Sequence, residues 1–335
     1  MIKKKTTQLV IYVLASIAFL IMVSIISLSV GSAGIPVNRI IPILVEGKGT
    51  PEYSILFDIR LPRIILGFAI GGALSLAGVI LQGMFRNPLV EPYTLGISGG
   101  AALGASLCIT LRLNLILPNV AMPLSGFLGA FLVFIPIYLL NIKKSALRIH
   151  GLLLTGVMIS FISSSLVTLI LAISRAEDLQ GIIFWIMGSL EEPSWVLIWI
   201  ACIVSVACLV LSYLFCLDMN ALTLGEEEAI HLGIDVEKKK KLLFLIASLL
   251  TGISVSITGL IGFVGLIVPH FIRMLVGYDH RVLLVTSFLS GAGFLIFCDM
   301  LARTVIAPVE LPVGVITGIL GGSIFIYALS RRLFH

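Results

Sequence analysis

Long apolar runs alternate with short polar stretches along most of this chain. Eight of the runs hold about 20 mostly apolar residues, enough to cross the hydrocarbon core of a bilayer as a helix. They cover residues 9–30, 64–84, 120–140, 151–173, 194–217, 242–260, 282–302 and 313–330. Two shorter or glycine-interrupted runs, 93–111 and 261–276, are consistent with spans, re-entrant segments or buried helices. The pattern predicts an all-α polytopic membrane protein with ten transmembrane helices in a single domain over 1–335.

The composition agrees with a chain whose main solvent is lipid. Of the 335 residues, 59% are hydrophobic and only 12% are charged, whereas soluble domains carry about 25% charge. So few charges cannot cover a water-facing surface of this size. The net charge of +5 is therefore no indication of nucleic-acid binding, and its distribution among the loops is the informative quantity.

The positive charges orient the predicted spans. With the N-terminus in the cytoplasm, 15 lysines and arginines lie inside and 7 outside, as the positive-inside rule requires. The inside set is Lys3, Lys4, Lys5, Arg86, Lys143, Lys144, Arg148, Lys238, Lys239, Lys240, Lys241, Arg273, Arg281, Arg331 and Arg332. Both termini are thus predicted to be cytoplasmic. The first run, 9–30, is expected to be a retained span, because it is longer than the apolar core of a cleaved signal peptide.

Two glycine patterns predict close helix packing. Each places three glycines on one helical face at a spacing of four, which lets backbones approach closely in lipid. The glycines are Gly96, Gly100, Gly104, Gly314, Gly318 and Gly322. They fit generic packing as well as a tight bundle around a pathway.

The longest polar segment, 218–241, is predicted to lie in the cytoplasm. Its central part, 221–233, has the pattern of one short amphipathic helix, with acids near its start and Gly233 as a C-terminal stop. The candidate residues are Leu222, Leu224, Gly225, Glu226, Glu227, Ala229, Leu232 and Gly233. The segment is either a solvated interfacial loop or a helix on which a soluble partner docks.

Three arginines flank spans on the predicted outer side. Arg60 and Arg63 precede one span, and Arg303 follows another. They either anchor helix ends or form a basic outer rim for an acidic protein or anionic ligand. Asp299 lies one helical turn before Arg303, a spacing suited to an ion pair, and a carboxylate within a span needs such a partner.

The sequence lacks the residues of an energy-converting or catalytic site. No Walker A motif is present, and the spans hold almost no acids besides Asp299, unlike those of an ion-coupled carrier. The five cysteines lie in apolar runs without metal-ligand spacing, and His270 lacks a second ligand at helical spacing, so no metal site, catalytic residue or bound cofactor is expected. Energy is expected from a partner; the alternative is a self-contained secondary transporter or channel.

Several motifs, taken in order, resemble the FecCD-type permease family, which includes iron-siderophore, haem and vitamin B12 permeases. The resemblance extends from about Ile59 to Leu333. Its strongest pieces are Arg60-Leu61-Pro62-Arg63, Asn87-Pro88-Leu89-x-Glu91-Pro92, Leu222-x-Leu224-Gly225-Glu226, Gly262-Phe263-Val264-Gly265-Leu266-x-x-Pro269-His270-x-x-Arg273 and Glu310-Leu311-Pro312-x-Gly314.

The resemblance implies a membrane-spanning subunit of an ATP-binding-cassette (ABC) importer in the cytoplasmic membrane, with the vitamin B12 permease-like type II fold. Related halves would cover about 61–173 and 241–333. The resemblance implies three kinds of partner. Two ATPase subunits would bind ATP and dock on the 218–241 loop, and a second permease copy, identical or related, would pair with this chain. An extracytoplasmic substrate-binding protein would dock through glutamates that meet Arg60, Arg63 and Arg303. The implied pathway residues on the fifth span are Ser160, Ser163, Ser164 and Thr168. Siderophore, haem and cobalamin all remain open as cargo.

Overall fold

A computed structural model describes the backbone of residues 2–31, 34–142, 149–192 and 194–333. Throughout these ranges the regular structure is helical. Lys143, Lys144 and Arg148, which were counted among the inside charges, lie outside the described residues.

Nine α-helices form the first part of the chain as far as residue 187. They are α1 (Ile2–Ser29), α2 (Val37–Glu46), α3 (Pro51–Ser54), α4 (Leu61–Phe85), α5 (Ile97–Thr110), α6 (Leu113–Ile116), α7 (Ala121–Ile142), α8 (Ile149–Ile173) and α9 (Ala176–Met187). A π-helical turn, Ile55–Arg60, joins α3 to α4, and a 3₁₀ turn, Pro92–Leu95, precedes α5. The sequence pattern did not predict α2 or α9, which lie in segments read as outer loops.

Seven α-helices form the rest of the chain. They are α10 (Trp195–Leu214), α11 (Cys216–Leu224), α12 (Glu226–His231), α13 (Val236–Thr258), α14 (Val264–Val276), α15 (His280–Ala302) and α16 (Val313–Leu333).

Each of the ten apolar runs coincides with one of the longer helices: α1, α4, α5, α7, α8, α10, α13, α14, α15 and α16. Among the described residues, six helical stretches are long and apolar enough to cross a membrane on their own. The apolar stretches of α5, α7, α14 and α16 are shorter, between 10 and 17 residues. The all-α membrane fold is therefore established, while the count of ten spans stays a prediction.

Helix α4 is the centre of the molecule. It packs against α10, α13, α14 and α15, and every residue from Ala69 to Phe85 is buried. Glycines allow the neighbouring helices to approach α4 this closely. A Cβ at Gly78 would overlap the carbonyl oxygen of Gly265, and a Cβ at Gly71 would overlap the carbonyl oxygen of Gly291. Because lipid provides little hydrophobic drive between helices, such close contacts are the main source of packing energy.

The two glycine patterns differ in how they pack. Gly100 and Gly104 lie directly against α7, where a Cβ would overlap backbone carbonyl oxygens of Gly129 and Ser125. Gly96 has a φ of 80° and ends the 3₁₀ turn. Its left-handed backbone conformation favours glycine, in addition to any role in packing.

In the second pattern, Gly314 lies against carbonyl oxygens of Met187 and Leu260, and Gly322 makes only ordinary contact with Phe263. A Cβ at Gly318 would have no heavy atom within 4 Å. No described residue of this chain therefore packs against Gly318, and packing at this position stays a prediction.

Helix α4 separates two polar clusters. Its 25 residues span about 37 Å, roughly the thickness of a bilayer with part of its headgroup region. Arg60 and Arg63 lie at its N-terminal end, and Arg86 ends it beside the 216–235 segment. The candidate outer site and the candidate partner site are thus on opposite sides of the bundle.

Candidate functional site

The polar loop predicted over 218–241 contains two short helices, α11 and α12, instead of the single amphipathic helix predicted over 221–233. These helices and the turn that follows them are called the 216–235 segment. Helix α11 ends at Leu224, and α12 begins at Glu226. Between them Gly225 has φ 137° and ψ 160°, a conformation essentially restricted to glycine. The prediction of one helix is wrong because Gly225 adopts this non-helical conformation and separates the two helices. Gly233, with a φ of 81°, ends the following turn as a left-handed residue commonly does.

Lysines from the start of α13 tie α12 and α11 to the bundle. The Nζ of Lys240 pairs with Oε1 of Glu226, and its side chain is only 4% exposed. The Nζ of Lys239 lies 2.7 Å from Oδ2 of Asp218 and 4.5 Å from the ring centre of Phe215. Sequence reasoning treated all four lysines as one inside charge run and missed Lys240, the buried one.

The apolar residues of this segment divide into two sets. Leu222 and Ala229 are buried, at 2% and 0% exposure, and belong to the main core. Leu224, Ile230 and Leu232 are 64%, 59% and 64% exposed; they are called the exposed triad below. Glu227 and Glu228 are exposed beside them, and Lys238 is 83% exposed. Since charged neighbours place this surface in water, the triad has the character of a protein contact site.

A side-chain link joins α11 to the start of α15. The Oδ1 of Asn220 accepts the backbone N–H of His280 at 2.8 Å, and its Nδ2 donates to Oδ1 of Asp279 at 3.1 Å. Asp279 also accepts three hydrogen bonds from the Arg281 guanidinium, two from Nε and one from Nη2, and these lower the pKa of its carboxyl group to about 2. These bonds link α11 directly to α15, which packs along α4.

Two irregular segments meet inside the bundle. The backbone N–H of Phe263, a residue with a φ of 68°, donates to Oε1 of Glu91 at 2.6 Å. The N–H of Ile261 donates to the hydroxyl of Tyr93 at 2.9 Å. These side chains satisfy backbone groups that the break between α13 and α14 leaves without helical partners. The sequence motif that contains Glu91 did not predict this contact, because Phe263 lies 172 positions away in the chain.

We expect Glu91→Ala to destabilise the protein more than Glu91→Gln does. Alanine removes the acceptor of the Phe263 N–H, and a buried unsatisfied donor costs about 1–3 kcal/mol; the glutamine oxygen can still accept. Thermal unfolding of both variants in one detergent checks this. Identical unfolding midpoints for the two variants and the unchanged protein would contradict the assigned contact.

The outer ends of α4 and α16 are joined by an ion cluster. The Nη2 of Arg63 lies 2.6 Å from Oε2 of Glu310 and 3.2 Å from Oε1 of Glu191. The arginine side chain is 5% exposed, whereas the two acids are 46% and 74% exposed. The surface of this cluster is therefore acidic and its interior basic.

A second cluster holds the end of α1. The Nε of Arg303 donates to Oδ2 of Asp299 at 2.9 Å, which confirms the pair expected from their spacing, and its Nη2 donates to the hydroxyl of Ser27 at 2.7 Å. The Nη1 of Arg60 donates to the carbonyl of Leu28. Positive groups are favoured at a helix C-terminus, where carbonyl groups lack helical partners.

These contacts correct the expectation of an exposed basic rim. Arg60, Arg63 and Arg303 are 3%, 5% and 5% exposed, because each guanidinium is bonded inside the chain. In this conformation they anchor helix ends, the other interpretation that the sequence allowed. Whether a binding protein docks at this end stays a prediction.

The candidate pathway residues on α8 face two directions. Ser163 is 3% exposed and packs against Gly99 of α5. Ser164 and Thr168 are exposed on the opposite side, where the Thr168 hydroxyl donates to the Ser164 carbonyl at 2.9 Å, and Ser160 is half-buried. Ser164 and Thr168 are therefore the two candidates with exposed side chains, and the pathway role of all four residues stays a prediction.

Within the described parts of the chain, no group of three or more His, Cys, Asp or Glu side chains could hold a metal ion. The five cysteines are unpaired, and four of them are buried. His270 lies against the rings of Phe271 and Phe325 at centroid distances of 6.1 and 5.9 Å.

Comparisons with known proteins agree on one family. The model of the FecCD transport family matches residues 19–331. The hemin transport system permease protein HmuU of Yersinia pestis is 40% identical over 84% of each chain. The cobalamin import system permease protein BtuC of Halobacterium salinarum is 39% identical over 85% of this chain and 76% of its own. A solved structure described as an inward-facing metal-chelate type ABC transporter superposes with a TM-score of 0.85 at 31% identity, covering 95% of this chain and 98% of the other.

Proposed function

The chain belongs to the FecCD transport family and is the permease subunit of an ABC importer, and on this premise we propose that it carries an iron chelate, haem or cobalamin inward by alternating access. Its relatives are named for hemin and cobalamin, which supports a large chelated metal as cargo. The choice among these ligands is expected to rest largely on the substrate-binding protein.

The proposed assembly has ten membrane-spanning helices per permease, with both termini in the cytoplasm. Two ATPase subunits bind ATP and dock on the 216–235 segment, so that this chain needs no cofactor of its own. A second permease copy faces α8, where the exposed Ser164 and Thr168 would line the shared pathway. A substrate-binding protein delivers cargo at the opposite end.

The exposed triad is the observation that carries the docking proposal. The three large apolar side chains of the triad are exposed beside the exposed Glu227 and Glu228. Behind them, Gly225 and the Glu226–Lys240 pair fix the short helices to α13. A partner that binds this surface can therefore move α11 and α13. Because Asn220 of α11 is bonded to His280, the same partner can also move α15.

Leu232→Asp is expected to weaken binding of the cognate ATPase at least about tenfold, because buried apolar anchors dominate interface energies. Copurification and titration of the ATPase against detergent-solubilised permease check this. Leu115→Asp is the matched control, since Leu115 is 70% exposed in α6, away from the 216–235 segment. Equal ATPase affinity for both variants and the unchanged chain would contradict docking at the triad.

A further inference from the structure

A cavity of about 750 Å³ opens beside the 216–235 segment. It lies between the end of α4, α14 and the start of α15, and Thr223 and Leu224 form part of its wall. Its volume is within the range of sites that bind small molecules. None of the functions described above uses it.

The charged side chains that line the cavity are basic, and the one phenol, that of Tyr278, lies under the Arg273 guanidinium. Arg86, Arg273, His270 and His280 contribute nitrogen-bearing side chains, and the remaining lining residues include no carboxylate. Asp279, the acid next to His280 in sequence, is already bonded to Asn220 and Arg281. The cavity is therefore suited to an anion.

Neither arginine of the cavity has a counter-charge among the described residues, and Arg273 is also held in place by a hydrogen bond. Neither Arg86 nor Arg273 has a carboxylate partner within 4 Å in the described ranges. The Nη1 of Arg273 donates to Oε1 of Gln82 at 3.0 Å, while its Nη2 is buried and lacks a partner there. Gln82 is itself fixed by the carbonyls of Gly265 and Leu266. A positioned guanidinium with an unsatisfied N–H is a ready donor to an anionic oxygen.

His280 adds a third group directed by its neighbours. Its side chain is 1% exposed, and its Nδ1 lies 2.8 Å from Oδ1 of Asn220. That oxygen also accepts the backbone N–H of His280, so it acts as an acceptor and places a proton on Nδ1. The other ring nitrogen, Nε2, is therefore an unprotonated acceptor; it is buried without a partner among the described residues, so His280 shapes the cavity wall but donates nothing to an anion.

We propose that this cavity binds a phosphate group that enters from the side of the 216–235 segment and is held by Arg86 and Arg273. Phosphate fits better than a carboxylate, because its larger number of oxygens can accept from both guanidinium groups, at the end of α4 and on α14, at once. The group belongs either to a free phosphate compound or to a phospholipid headgroup, the kind of ligand that basic pockets between membrane helices bind. The site does not depend on the identity of the cargo, and it shares Leu224 with the exposed triad.

Two binding measurements on the full-length chain distinguish the sources. Inorganic phosphate is titrated by calorimetry into protein in a neutral, phosphate-free detergent. Phosphatidylglycerol adducts are counted by native mass spectrometry after release from nanodiscs that contain equal parts phosphatidylglycerol and phosphatidylcholine. Saturable binding in the first supports a free anion, and one retained phosphatidylglycerol per chain in the second supports a headgroup.

Arg86→Asn tests the site without disturbing the fold. Arg86 is exposed and has a φ of 51°, a conformation that asparagine tolerates. We expect this variant to weaken binding at least tenfold, and Arg273→Gln to do the same. Lys238→Gln, which removes an exposed charge outside the cavity, should change affinity less than twofold. Absence of saturable binding in both measurements, or equal weakening by all three substitutions, would overturn the proposal.

Discussion

Gly225→Val is expected to abolish ATP-driven uptake while the protein still inserts in the membrane. The backbone at Gly225, with φ 137° and ψ 160°, is not accessible to a β-branched residue without strain. The junction between α11 and α12 must therefore rearrange, which displaces the exposed triad from its position against the ATPase. Uptake of labelled cargo into proteoliposomes that contain the complete transporter and ATP measures the effect.

Gly34→Val is the control for the introduction of valine, because a Cβ at Gly34 meets no atom within 4 Å and its φ is not positive. Glu227→Lys separates docking from folding, since Glu227 is exposed and forms no ion pair within the described chain. We expect it to slow uptake while leaving thermal stability unchanged. Normal uptake by the Gly225→Val transporter would refute the role of this junction.

Arg303→Ala is expected to lower the free energy of unfolding by about 3–5 kcal/mol, the usual loss when one partner of a buried ion pair is removed. The side chains of Arg303 and Asp299 are 5% and 6% exposed, so the carboxylate would remain in the bundle without its main counter-charge. The Ser27 bond is lost as well, which loosens α1. Thermal unfolding in detergent provides the measurement.

The double variant Asp299→Leu/Arg303→Leu is the matched control. Replacing a whole buried pair by apolar residues is often neutral or stabilising. It should therefore be more stable than Arg303→Ala, even though it has one more substitution. If the single and double variants unfold at the same temperature as the unchanged protein, the cluster does not stabilise the fold.

Local patterns predicted the helices and the contacts between neighbours in sequence. All ten apolar runs coincide with helices, because the apolar runs follow directly from the thickness of the hydrocarbon core. The Asp299–Arg303 pair follows from helical spacing alone. Gly233 likewise ends a helical turn, as its place after the amphipathic pattern indicated.

Contacts between distant segments could not be predicted in this way. Arg63 meets Glu310, which lies 247 positions away in the chain, and Arg303 meets Ser27 across 276 positions. Nothing in the arginine motif distinguishes a buried guanidinium from an exposed one, so the rim was expected at the surface. The break at Gly225 was not predicted because the apolar spacing continues across it. The pattern of apolar and polar residues does not depend on the backbone conformation of one glycine.

The central claim is that this chain has no energy source of its own and is driven through the 216–235 segment. Reconstituting the purified permease in liposomes with its binding protein, with and without the cognate ATPase, tests it most directly. The account predicts cargo uptake only when both ATPase and ATP are present, and no uptake by the permease alone under a proton or sodium gradient. Gradient-driven uptake without the ATPase would contradict it and identify a self-contained secondary transporter or channel.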